Sequence, residues 1–269
     1  MNKKLLGSAL FLAAILAFFL ILNVMIPPAK SEFLSRNRAP KTSQSLEYVA
    51  LGDSLTEGVG DSTDEGGFVP LLARQIEAVD KRKVNYQNFG KAGDTSTQIY
   101  TRLIKQKKIQ TALKSADIIT ITVGGNDLMK AFRGNLSNLS KLKLSDFNKP
   151  AQDYQKQLGR LLDKIGSLEK SGAKIYVLGI YNPFYLSFSD IPELQELVGR
   201  WNNAAEEVVN QKKGIFVAIN DLIYKGDGVA AGSANNLLSQ YDEFHPNNVG
   251  YRIMANAVFS AYQNSEENK

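Results

Sequence analysis

From Leu46 onward the chain alternates short β-type apolar runs with longer helical patterns, and this alternation restricts its fold more than any other feature. Strands are expected at residues 47–51, 84–89, 117–123, 174–179 and 215–219. Amphipathic helical spacing fills 68–80, 97–105, 151–169 and 191–211 between them, and 247–262 closes the chain. Strands joined through helices run parallel, and a parallel sheet needs helices on both faces. The expected fold class is therefore α/β, a three-layer α/β/α sandwich around a central parallel five-stranded sheet. Such sheets place ligand sites at the carboxyl ends of their strands, where loops enter helices.

The first 45 residues stand apart from that pattern. After Lys3 and Lys4, residues 5–26 carry no charge, and as a helix they would extend roughly 33 Å, enough to span a bilayer. A removable signal peptide has a shorter apolar core, about 7–15 residues, and a small-residue cleavage site. Here the run is longer and exits through Pro27-Pro28-Ala29-Lys30, so residues 1–30 are read as an uncleaved signal anchor in preference to a cleaved signal peptide. Lys3 and Lys4 stay on the cytoplasmic side by the positive-inside tendency, which places the rest outside the membrane. Residues 31–45 form a polar tether, and 46–265 the folded domain.

Composition narrows the function classes. The formal charge of +5 owes three units to Lys3, Lys4 and Lys30, and the remainder carries 29 basic against 27 acidic side chains. That balance gives no electrostatic footprint for nucleic acid. With no cysteine in the chain, a thiolate nucleophile, a cysteine-based zinc site and a disulfide framework are all excluded.

Polar and glycine-rich segments fall at the expected strand ends: Gly52-Asp53-Ser54 after the first, Gly90 to Thr95 after the second, Gly124-Gly125-Asn126-Asp127 after the third. The fifth strand leads into a long loop ending in Asp242-Glu243-Phe244-His245-Pro246. Ser54 is either a turn residue or a nucleophile. A hydroxyl attacks a carbonyl when a base takes its proton, and that base is usually a histidine oriented by a carboxylate. His245 is the single histidine of the chain, three residues after Asp242. Gly93 can bring a backbone N–H close to a substrate, and Asn126 offers a side-chain amide. Taken alone, Gly124 to Asp127 reads equally as a tight turn with a helix N-cap.

In combination the blocks Gly52-Asp53-Ser54-Leu55, the glycine Gly93, Gly124-Gly125-Asn126-Asp127 and the Asp242-x-x-His245 pair resemble, in order, those of the SGNH hydrolase superfamily of GDSL lipases and esterases. The resemblance covers nearly all of 46–262. It implies a flavodoxin-like fold and a metal-independent, cofactor-free serine ester hydrolase acting through an acyl-enzyme. In it Ser54 is the nucleophile, His245 the general base and then acid, and Asp242 the residue that orients His245. The N–H groups of Ser54 and Gly93 and the side chain of Asn126 form the oxyanion hole. The α/β-hydrolase elbow G-x-S-x-G does not fit, because Thr56 stands where the second glycine belongs.

The implied substrate is a small-molecule or lipid ester. Two alternatives are an acyltransferase or deacetylase acting on surface polymers and a non-catalytic binding or scaffold protein. Neither a dinucleotide loop nor an EF-hand is present around Gly58 to Glu65. Residues 131–149 are either a lid or a surface insertion, and the aromatic stretch 181–188 either lines an acyl pocket or packs at a loop start. Hydrolysis is expected to rise with pH as His245 loses its proton.

Overall fold

The computed structural model describes residues 45–63, 65–133, 143–230 and 232–267. The apolar run 5–26 and the tether as far as residue 44 lie outside them. Among the described residues no helix is long and apolar enough to cross a membrane.

Five parallel strands form one sheet: β1 (Leu46–Gly52), β2 (Val84–Gly90), β3 (Ile118–Thr122), β4 (Lys174–Leu178) and β5 (Ile215–Val217), in the order β2-β1-β3-β4-β5. The helices are α1 (Ser54–Glu57), α2 (Phe68–Asp80), α3 (Ser96–Lys105), α4 (Lys107–Ser115), α5 (Gly125–Arg133), α6 (Asn148–Gly166), α7 (Pro192–Gln211), α8 (Asn220–Ile223) and α9 (Asn248–Glu267). Side chains on a strand alternate between faces. Val49, Leu51, Ile119, Ile121 and Val177 therefore join one buried cluster with α3, α4, α6 and α7, while Tyr48, Ala50, Ile118, Tyr176 and Leu178 join another with α2 and α9. The two clusters, one on each side of the sheet, make the three-layer sandwich and explain why β3 is buried at all five positions. Fully burying each such side chain contributes about 1.5–3 kcal/mol.

The register sets the site. Gly52 lies opposite Gly90 on one side and Thr122 on the other, so β1, β2 and β3 end level. The strand order reverses direction at the β1/β3 junction, where open sheets of this topology form their ligand crevice. Ser54, Gly93 and Asn126 all follow strands that end on this rim.

All five strands occur where expected, with ends shifted by at most two residues, and the five expected helices are present, although α6 lies three residues earlier than expected and α9 runs five residues further. Four helices were not anticipated, the single-turn α1 and α8 and the longer α4 and α5. Helix α4 buries only Ile109, Ala112 and Leu113, a stripe too short to stand out beside its lysines. Helix α5 begins at Gly125 itself, so the Gly124 to Asp127 turn is the first turn of a helix. The central part of the lid-or-insertion segment, residues 134–142, lies outside the described residues. At its far end Phe147 is buried and Leu144 packs on the core.

Candidate active site

The nucleophile candidate is held from three directions. β1 ends at Gly52 and the chain turns at once into the single-turn helix α1, whose first residue is Ser54. Asp53 caps that helix, its Oδ1 accepting from the Leu55 N–H at 3.1 Å. The same oxygen accepts from Thr122 Oγ1 at 2.7 Å, and Thr122 Oγ1 lies 2.7 Å from Thr56 Oγ1. These side chains tie α1 to the end of β3 and leave Ser54 buried. Burial pushes the Asp53 carboxyl above the usual carboxylate range, although its hydrogen bonds from Thr122 and Leu55 and the nearby His245 pull the other way.

The acid and base candidates share one loop before α9. Asp242 Oδ1 accepts from the backbone N–H groups of Phe244 and His245, both at 3.0 Å, and Oδ2 meets His245 Nδ1 at 2.6 Å. Glu243 adopts φ +50 between them, which tightens the turn. An ionised carboxylate only accepts, so the neutral imidazole carries its hydrogen on Nδ1 and presents the Nε2 lone pair. Nε2 lies 2.9 Å from Ser54 Oγ. Partial burial works to raise the Asp242 carboxyl, but hydrogen bonds from the His245 ring and from the backbone N–H groups of His245 and Phe244 outweigh it and hold the group below its ordinary range. Asp242 is consequently charged at neutral pH.

Outside contacts fix the loop at both ends. Tyr181 donates its hydroxyl to the Phe244 carbonyl at 2.6 Å, and the Ser239 N–H donates to the His245 carbonyl at 2.7 Å. Gly60, at φ +95, passes so close that a Cβ there would lie 2.5 Å from the Pro246 carbonyl oxygen and 3.0 Å from His245 Cβ. Only glycine allows that approach.

On the other side of Ser54, Gly93 takes φ +80, and a Cβ placed on it would meet nothing within 4 Å. Gly93 and Asn126 line one cleft, and Asn126 and Ser54 line its neighbour. Asn126 Nδ2 donates to the Asp94 carbonyl at 3.0 Å, which leaves its second amide hydrogen for another acceptor. Asp127, one residue on, reaches back to α3: its carboxylate accepts from the Ser96 N–H at 2.8 Å and the Ser96 hydroxyl at 2.6 Å.

The cleft at Ser54 is walled by Leu55, Val123, Ile180, Tyr181, Pro183 and Phe244. A second apolar hollow shares Ile180, Tyr181, Pro183 and Phe244 and adds Phe132, Phe184 and Leu194. Of the aromatic stretch 181–188, Tyr181 and Phe184 line these clefts, whereas Tyr185 packs edge-on against Tyr224 at 4.5 Å and Phe188 is exposed.

All five candidate residues therefore meet at one rim: Ser54, His245 and Asp242 in a hydrogen-bonded line, Gly93 and Asn126 beside it. Sequence reasoning missed Thr122, Phe244, Asp94 and Arg102, which hold or wall the site, whereas Tyr181 belongs to the aromatic stretch already weighed as an acyl-pocket wall. Among these only Phe244 carried a local signal, lying inside the Asp242 to His245 spacing. Among the described residues no group of three or more His, Asp or Glu side chains is arranged to hold a metal ion.

Comparison with known proteins identifies the family. The profile of the GDSL-like Lipase/Acylhydrolase family matches residues 50–253. The chain is 35% identical over 233 residues to the protein YpmR of Bacillus subtilis (strain 168), covering 86% of this chain and 87% of that one. It is 30% identical over 220 residues to the spore germination lipase LipC of Bacillus licheniformis, covering 80% and 96% respectively. Among solved structures, the lipase Lip_vut3 from a goat rumen metagenome superposes with a TM-score of 0.68 at 27% identity, over 81% of this chain and 97% of its own.

Proposed function

The chain belongs to the GDSL-like lipase/acylhydrolase family and is an ester hydrolase, and on that premise we propose that it cleaves carboxylic esters through a Ser54 acyl-enzyme. The observation that carries this reading is the line Ser54 Oγ, His245 Nε2 and His245 Nδ1, Asp242 Oδ2, with links of 2.9 and 2.6 Å. His245 Nε2 takes the hydroxyl proton as Oγ attacks the ester carbonyl. Charge developing on the carbonyl oxygen is met by the N–H groups of Ser54 and Gly93 and the amide of Asn126, each donor worth about 2.7–4 kcal/mol of barrier. His245 then hands its proton to the departing alkoxide, and water repeats the sequence to release the acid. Asp242 keeps the imidazole in the competent tautomer and balances its transient charge.

The apolar walls at Ser54 suit an ester with a hydrocarbon acyl part. Residues 5–26 would anchor the domain on the outer side of the cytoplasmic membrane, which protease treatment of intact cells tests by cleaving the domain only if it lies outside. For the chemistry, the full chain in detergent is assayed on p-nitrophenyl esters of graded acyl length, alongside Ser54→Ala and His245→Ala and with a chelator. Serine-dependent release indifferent to chelation is the expected result. Activity that survives both substitutions would sink the mechanism, and transfer of the acyl group to an added sugar in preference to water would instead favour the acyltransferase alternative.

A further inference from the structure

Arg102, on α3, has no part in the chemistry just proposed, yet it is built into the rim. Its side chain is 14% exposed and that of its partner Asp94 is 5%. All three guanidinium nitrogens are used: Nε donates to Asp94 Oδ2 at 2.5 Å, Nη1 to the Phe89 carbonyl at 3.0 Å, and Nη2 to the Gly52 carbonyl at 2.9 Å. Surface ion pairs do not have this form, and it places one planar group across several pieces of backbone.

Each acceptor leads directly to one of the proposed oxyanion donors. Gly52 ends β1, two residues before Ser54. Phe89 lies at the end of β2, which runs into the loop carrying Gly93. Asp94 follows Gly93 directly, and its own carbonyl receives the Asn126 amide at 3.0 Å. The Lys91 N–H adds a further tie, donating to the same Gly52 carbonyl at 3.0 Å. One guanidinium thus joins the segments bearing the Ser54 N–H, the Gly93 N–H and the Asn126 side chain, which come from three different strand ends.

We propose that Arg102 is a positioning residue that sets the mutual spacing of the three oxyanion donors without touching the substrate. The proposal rests on the serine mechanism above. Oxyanion donors act only when they sit about 2.7–3.1 Å from the charged oxygen, and misplacing catalytic groups by about 1 Å can cost on the order of 100-fold in rate. A rigid fork is suited to holding three acceptors in fixed relation, and a lysine ammonium, a point charge on a flexible stem, is not.

The test compares Arg102→Met and Arg102→Lys with wild type, in the native background and in Asn126→Ala, with thermal melting followed throughout. The expected result is a fall in kcat of about 10- to 100-fold at unchanged KM for Arg102→Met, and only partial rescue by lysine. Affinity for a trifluoromethyl ketone, which forms a tetrahedral adduct with a serine, should fall by a similar factor. In Asn126→Ala the cost of losing Arg102 should shrink, because one of the donors it spaces is already gone. Equal losses in both backgrounds, full rescue by lysine, or a loss carried by KM would overturn the proposal. Should Arg102→Met fail to fold, Asp94→Asn weakens the same link while keeping its shape and is read in the same way. Wild-type activity that survives Ser54→Ala would defeat the serine mechanism itself, whereas serine-dependent activity indifferent to Arg102→Met defeats only the role given to Arg102.

Discussion

Ser54 and His245 stand 2.9 Å apart, yet the segments that hold them are built in opposite ways. Around Ser54 the restraints come from far along the chain: Thr122 to Asp53 spans 69 residues and Arg102 to Gly52 spans 50. Most of those groups are buried. Around His245 the key restraints are local, since Asp242 binds the backbone and ring of a residue three positions away. Even the two aspartates titrate with opposite sign, Asp53 pushed up chiefly by burial and Asp242 held down by hydrogen bonds that outweigh its burial. The proposed nucleophile is placed by the tertiary fold, and the proposed base brings its own hydrogen-bonding partner with it. Damage to the restraints of the first region should therefore register in stability as well as rate, and damage to the second mainly in rate.

The largest effect should come from removing either reacting group. Ser54→Ala and His245→Ala are each expected to lower kcat by on the order of 10⁴–10⁶-fold, with melting temperatures near wild type; a cooperative loss of structure in His245→Ala would break the contrast. Asp242→Asn comes next, at about 10⁴-fold, because an amide facing Nδ1 favours the wrong tautomer. The pH profile of wild-type kcat/KM sharpens this point. With Asp242 held below its ordinary range, loss of its orienting charge should enter a log plot only at strongly acid pH. An inflection near neutral pH that disappears in Asp242→Asn would show that the carboxylate is not so held.

On the other side of the site, Thr122→Val removes a donor from a buried carboxylate and should cost about 1–3 kcal/mol of stability, measured by urea unfolding, with a smaller loss of rate. No change in the unfolding midpoint would mean that the threonine bridge does not hold α1. The smallest effect concerns Asp53. Its folded pKa is raised, so the folded chain binds this proton more tightly than the unfolded chain. Stability then falls as pH climbs from the ordinary aspartate value of about 3.9 through the raised value. Asp53→Asn should flatten that part of the stability profile and leave intact the opposite trend due to Asp242, which is lost only as pH falls through its depressed pKa.

The same contrast decides how much could be read from the sequence. Asp242 and His245 were legible because their relation is written in a spacing of three, and the sheet was legible because each strand is a short apolar run bounded by turn residues. Helix α4, nine residues with three buried, offered too brief a period to register. Thr122, Thr56 and Arg102 gave no signal because a threonine in a strand or an arginine on a helix looks ordinary until the strands are laid side by side. Gly93 and Asn126 stood between the two cases: their residue types suited donors, but a turn explained them equally well until the shared rim brought them beside Ser54.

The 191 residues that separate Ser54 from His245 also order events in time. A ribosome adding about 5–20 residues per second delivers His245 roughly 10–40 s after Ser54. Throughout that interval β1 and its serine exist without any imidazole, since the chain has no other histidine. On the proposed mechanism, a chain broken off anywhere before the final loop would hold the nucleophile without its base and should be silent.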